Sequence, residues 1–165
     1  MYPVKMYAAG KTYSWLNPLT IFVFLFMAPL SATAGNTELE EFQAQIRAKY
    51  DMKEAAFAAN DPEPILTQFY HPDVVSTGPD GSTHVGRDEL RPIYNEVISG
   101  GVRIESYRSF VNGDAGWDWV NFHVTPPPEA GAEPFTFKML FLWERIDGEW
   151  WSHGEMYLMG AFDTH

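Results

Sequence analysis

From Asn36 onward apolar residues recur at helical spacing, with Leu39, Phe42, Ile46, Tyr50 and Phe57 on one stripe and Lys53 set among them. Asn36 or Thr37 is placed to cap this helix, and Glu38, Glu40 and Glu41 fall where the helix dipole favours acids. The helix is predicted to run to about Ala59. Asn60-Asp61-Pro62 then stops it, because the residue before a proline is pushed out of the helical region. Ile65, Leu66 and Phe69 form one side of a short second helix over 63–70, ended by His71-Pro72-Asp73. Val74 to Thr77 and Thr83 to Val85 read as the arms of a small hairpin around Gly78-Pro79-Asp80-Gly81. Leu90, Ile93, Tyr94 and Val97 then mark a third helix from Arg87 to about Ser99.

After Gly100-Gly101 the period falls to two. Three long strands are predicted over 102–111, 115–125 and 135–146, and a last one over 150–157, with turn signals at Asn112-Gly113-Asp114 and Asp147-Gly148. The order predicts an α+β fold with helices gathered on one side of an antiparallel sheet. The run Phe135 to Trp143 is apolar on both faces over its second half. Such a strand needs cover on both sides, from the helices on one and from a second subunit on the other.

The front of the chain reads as an address. Lys5 and Lys11 precede the apolar run Leu19 to Leu30, and Ala32-Thr33-Ala34 supplies a small-x-small pattern, so residues 1–34 are predicted to be a signal peptide cleaved after Ala34. A secreted or periplasmic location follows, with residues 35–165 as a single domain.

Composition excludes more than it selects. The 165 residues include 22 acidic and 11 basic side chains, a net charge of −11, and no cysteine. Without the first 34 residues the balance is nine basic against 22 acidic. A body this acidic is a poor partner for nucleic acid, and the lack of thiols removes disulfides, thiolate metal sites and a Cys nucleophile.

Candidate chemistry gathers on the last strand. Alternation there puts Trp151, His153, Glu155 and Tyr157 on one side, an imidazole and a carboxylate between two aromatics. Such a run either lines a pocket or packs a core in which His and Glu satisfy one another. The second long strand carries a matching alternate set, Trp117, Trp119, Asn121 and His123. Imidazole is the side chain nearest to working pH for general acid or base catalysis, so His153 and His123, with Glu155, are the catalytic candidates. No spacing motif supports a metal site from these residues, and no cofactor is expected.

The segment Phe69-Tyr70-His71-Pro72-Asp73-Val74-Val75, the Gly78 to Gly86 hairpin, the Trp150-Trp151 ending and the order of elements resemble the nuclear-transport-factor-2-like superfamily. Within it the chain is most similar to the SnoaL-like and ketosteroid-isomerase-like branch. The resemblance implies a cone, a strongly curved sheet wrapped around the long first helix with a pocket between, and frequent dimers through the sheet. In the isomerase branch a carboxylate base sits on the first hairpin, and a Tyr on the first helix and an Asp on the third long strand hold the oxyanion. The matching positions here are Gly78, Lys53 or Tyr50, and Leu142, so the resemblance implies that this chemistry is absent. It also implies cavity-facing positions: Trp117, Trp119, Asn121 and His123; Thr136, Lys138, Leu140 and Leu142; and Trp151, His153, Glu155 and Tyr157.

Three functions stay open on these grounds. The first is an exported dimer that binds a small apolar or aromatic molecule through Trp117, Trp119, Asn121, Lys138, Trp151 and Tyr157. The second is a proton-transfer enzyme of cyclase, dehydratase or isomerase type using the pocket histidines. The third is an interaction module whose core is filled by its own side chains.

Overall fold

A computed structural model describes residues 31–163, with side chains from residue 37 onward. Helix α1, Ser31–Ala59, leads into one π-helical turn, Ile65–Phe69, then strands β1, Tyr70–Thr77, and β2, Thr83–Val85. Helix α2, Arg87–Val97, is followed by four long strands: β3, Gly101–Asn112; β4, Ala115–Thr125; β5, Phe135–Ile146; and β6, Glu149–Met159. The predicted targeting segment lies outside the described residues except for its last four, which begin α1.

The strand order is β2-β1-β6-β5-β4-β3, with every pairing antiparallel except β1 with β6. Extra residues interrupt the register between Ser106 and Arg108 on β3 and opposite Leu142 and Trp143 on β6. Each such bulge bends its strand and raises the local twist, and these help roll the sheet around α1. The predicted α+β cone is the observed architecture.

The core forms where α1 lies in the concave face. Phe42, Ile46, Tyr50 and Phe57 are buried against Phe69, Val120, Phe122, Phe141, Trp143 and Trp150. Phe42 and Trp150 meet edge to face with centroids 4.8 Å apart. Helix α1 approaches β4 so closely that a Cβ on Gly116 would stand 2.8 Å from Phe42 Cζ. Glycine is required there by space.

Two element starts depart furthest from expectation. Helix α1 reaches back to Ser31, so Asn36 and Thr37 lie within it rather than capping it, and Glu38, Glu40 and Glu41 fall beyond its first turn. Strand β1 begins at Tyr70, so His71-Pro72-Asp73 is extended strand rather than a helix stop. Proline is tolerated there because the β1–β6 register breaks between Tyr70 and Val75, releasing that stretch from the ladder. At the far end of α1 the chain behaves as its sequence says. Asn60 takes a left-handed φ of 52°, and the amides of Asn60 and Asp61 close on the carbonyls of Phe57 and Ala56.

Candidate functional site

Between α1, α2 and the concave face of the sheet lies a cavity of about 200 Å³. Phe57 of α1, Leu90, Ile93, Tyr94 and Val97 of α2, and Phe122, Val124, Phe137 and Met139 of β4 and β5 make its walls. Four lining residues carry polar groups: Ser76, Tyr94, Glu155 and Tyr157. An engineered apolar cavity of about 150 Å³ holds benzene, so this one has room for a molecule of one or two rings.

Beneath the cavity is a buried polar network that the sequence only hinted at. Lys53 stands on the apolar stripe of α1 and is fully buried, with its ammonium 4.2 Å from the ring centroid of Phe69, 4.7 Å from Tyr70 and 5.0 Å from Phe141. Lys53 Nζ donates to Tyr70 Oη at 2.7 Å and lies 3.9 Å from Glu155 Oε2. Tyr70 Oη donates to Glu155 Oε2 at 2.6 Å, and Ser76 Oγ donates to Glu155 Oε1 at 2.8 Å. Tyr94 Oη joins at 2.5 Å from Tyr70 Oη.

The electrostatics follow from that burial. Desolvation lowers the Lys53 pKa from 10.5 to about 8, and the Glu155 charge works in the opposite direction to hold the proton on. Burial, reinforced by Glu155, keeps the Tyr70 and Tyr94 hydroxyls protonated far into the alkaline range. A second buried carboxylate, Asp118, accepts from Tyr50 at 2.9 Å, Ser106 at 2.6 Å and Ser109 at 2.8 Å. Burial raises its pKa despite those donors. Asp118 does not line the cavity.

Of the residues read as cavity-facing, the structure brings Glu155 and Tyr157 to the cavity and leaves the others outside it. Strand β4 turns Asp118, Val120 and Phe122 inward, so Trp117, Trp119, Asn121 and His123 point outward. Strand β5 turns Phe137, Met139, Phe141 and Trp143 inward, leaving Thr136, Lys138, Leu140 and Leu142 outside. On β6 one extra residue accounts for the split. Ser152 pairs with Trp143 and Gly154 with Leu142, so His153 is the unpaired bulge residue. Trp151 and His153 are thereby outside while Glu155 and Tyr157 turn in.

The outward residues have partners of their own. His153 Nδ1 is 2.5 Å from Glu144 Oε2, and its ring lies 4.2 Å from that of His71. His123 bridges Thr136 Oγ1 and Glu105 Oε2, each at 3.0 Å, and desolvation lowers its pKa. The expected pairing of His123, His153 and Glu155 in one cavity is therefore corrected. Trp151 lies under Lys49 and Arg87, and Trp117 stacks on Phe110. Asn121 exchanges two hydrogen bonds with the backbone of Phe162, whose ring stacks on Tyr107, meets Trp119 at its edge and takes the Lys138 ammonium at 5.1 Å. Among the described residues no group of three His, Asp or Glu side chains is placed to hold a metal ion.

Comparison with known proteins places this geometry. A family model described as a SnoaL-like domain matches residues 51–153. The chain belongs to the SnoaL-like family. That family lies within the nuclear-transport-factor-2-like superfamily, in agreement with the resemblance read from the sequence. A ketosteroid isomerase-like protein from Erwinia carotovora atroseptica is 23% identical, over 77% of this chain and 99% of its own, with a TM-score of 0.61. A protein of unknown function from Mycobacterium tuberculosis is 19% identical over 83% of this chain and 79% of its own, with a TM-score of 0.62. A protein with a cystatin-like fold from Caulobacter vibrioides is 14% identical over 73% and 90%, with a TM-score of 0.61. At these identities the likeness is one of fold. No curated protein matches the sequence.

Within this SnoaL-like domain the positions that match the isomerase branch stand as follows. Lys53 occupies the helix position at the centre of the buried network, Leu142 faces outward at 47% exposure, and Gly78 sits in the β1–β2 turn beside the Tyr157 hydroxyl. The carboxylate that lines the cavity comes instead from β6, as Glu155.

Proposed function

We propose that this is an exported protein that binds a small, uncharged, apolar or aromatic molecule in the cone. The observation that carries the binding reading is the aromatic-walled cavity of about 200 Å³ ending on the buried Ser76, Tyr94 and Glu155 groups. Ligand sites combine apolar walls with a few convergent polar groups in this way, and open space between helix and sheet speaks against a core filled by the protein's own side chains. Thermal-shift measurements with one- and two-ring apolar compounds test it, run beside Val124→Trp, which places an indole at the cavity wall. Stabilisation of the wild type that the variant loses supports the reading; equal response of both, or none, contradicts it.

Export rests on the N-terminal pattern of lysines, apolar run and Ala32-Thr33-Ala34. Mass spectrometry of the protein from its native host should find Gly35 as the first residue, and an intact Met1 would count against it. Pairing of two copies through the sheet is supported by the exposed apolar side chains Val75, Leu142, Met156 and Leu158 on the convex face. Light scattering on the purified protein should give twice the chain mass; a monomer at micromolar concentration would remove that part of the proposal.

A second reading, proton-transfer catalysis, is favoured by one feature, a carboxylate in the cavity flanked by a cationic neighbour. In it Glu155 takes the role first assigned to His153 and His123. The α-protons of 2-indanone should then exchange with deuterated water faster in the presence of the protein, and Glu155→Gln should remove the acceleration. Exchange at the buffer rate contradicts this reading without touching the first.

A further inference from the structure

The hydroxyl protons around Glu155 can be assigned one at a time. An ionised carboxylate only accepts, so Tyr70, 2.6 Å from Oε2, spends its single proton on Glu155. With that proton committed, Tyr70 Oη accepts from both remaining neighbours. Lys53 Nζ donates to it at 2.7 Å, and Tyr94, at 2.5 Å, must be the donor of the pair. Ser76 likewise spends its proton on Glu155 Oε1. Every hydroxyl proton of the network points toward the carboxylate.

The face this floor turns to the cavity is consequently made of acceptors. They are the unused lone pairs of Glu155 and the oxygens of Ser76 and Tyr94. Tyr157, the fourth polar lining residue, holds its hydroxyl beside Gly78, where a Cβ would come within 3.2 Å of it, and it makes no hydrogen bond to this group. The fully buried Lys53 ammonium, 3.9 Å from Glu155 Oε2, supplies the counter-charge from behind. The floor calls for a neutral donor, since a second cation has no unbalanced charge to meet.

Resting on the reading that the cone holds a ligand, the geometry points to a specificity. The ligand is a neutral one- or two-ring molecule bearing a hydroxyl, a phenol or cyclic alcohol, which donates to Glu155. A molecule offering only an ether or carbonyl oxygen meets acceptors and is rejected, because a buried acceptor facing an acceptor leaves both unsatisfied.

The test uses 2-naphthol and 2-methoxynaphthalene, which share a ring system and differ in the ability to donate. Titration calorimetry on the wild-type protein should find 2-naphthol at least about tenfold tighter. A crystal of that complex should show the naphthol oxygen within hydrogen-bond reach of Glu155. In Glu155→Gln the amide adds a donor, and the preference should shrink or reverse. If the ether binds in the cone as tightly as the naphthol, or the naphthol oxygen points away from Glu155, the donor assignment is overturned while ligand binding by the cone stands. If neither compound enters the cone, the binding reading falls and this inference with it.

Discussion

Lys53 Nζ and Glu155 Oε2 lie 3.9 Å apart in the interior of the cone, with the Tyr70 hydroxyl hydrogen-bonded to both. One charge comes from the apolar stripe of α1 and the other from the last strand, so the contact ties the two ends of the fold together. Taking either charge out of water is costly, and neither is stable there without the other.

That coupling sets the titration of Lys53. Its pKa lies at about 8, lowered by burial and partly restored by Glu155, so removing the Glu155 charge should lower it further. With the lysine carbons adjacent to nitrogen labelled, an NMR pH titration should show one lysine near 8 in the wild type and a still lower value in Glu155→Gln. A Lys53 midpoint near 10.5 in both would refute the coupling.

The same shift makes stability depend on pH in a defined direction. Lys53 loses its proton near 8 in the folded protein and at the ordinary 10.5 when unfolded. Between those values the unfolded chain binds more protons, so the folded state gains stability as pH rises through this window. Above 10 the sign turns, because Tyr50, Tyr70 and Tyr94 hold their protons longer in the folded protein than in the unfolded one. Urea unfolding at pH 7.5, 8.5 and 9.5 should give rising stability for the wild type relative to Lys53→Met. Parallel curves for the two would contradict the assignment.

Asp118 offers an independent check on the interior. Tyr50→Phe removes one of its three donors and should cost about 1–3 kcal/mol at pH 7, the penalty for leaving a buried acceptor short. The Tyr50 hydroxyl favours the ionised form of Asp118, so the cost should shrink as pH falls and the carboxylate is protonated. Equal cost at pH 4 and pH 7 would show that the hydroxyl does not act on the charge.

Much of the architecture was legible from residue pattern. Strands β4 and β5 begin and end where alternation and turn residues put them, because Asn112-Gly113-Asp114 fixes the start of β4 and Asp147-Gly148 the end of β5. The direction of each face was harder to read. On β4 the outward set contains Trp117 and Trp119 while the inward set contains the buried Asp118, so aromatic content argued for the wrong side. On β6 the bulge at His153 shifts parity midway, and alternation has no means of registering one added residue. Lys53 carried a signal that went unused: a charge on an otherwise apolar stripe implies a buried partner. Tyr70, Ser76 and Tyr94 joined the site only through the parallel β1–β6 pairing and the packing of α2, contacts that local sequence does not encode.

The outer face gives a further prediction. Asn121, Trp119, Tyr107 and Lys138 hold the C-terminal segment through Phe162. Phe162→Ala should therefore increase backbone amide exchange around 160–163 and cost on the order of 1–2 kcal/mol, while leaving affinity for an apolar probe of the cone unchanged. Loss of probe binding in this variant would mean that the convex aromatics belong to the ligand site after all.

The most direct test of the account separates the two faces with one label. Met139 lines the cone and Met156 lies on the convex face beside Leu140 and Leu142. With methionine methyl carbons labelled, addition of naphthalene should shift the Met139 resonance through ring currents and leave Met156 where it was. A shift of Met156 with Met139 unmoved would place binding on the convex face, where Trp117, Trp119 and His153 lie, and would contradict the interior site.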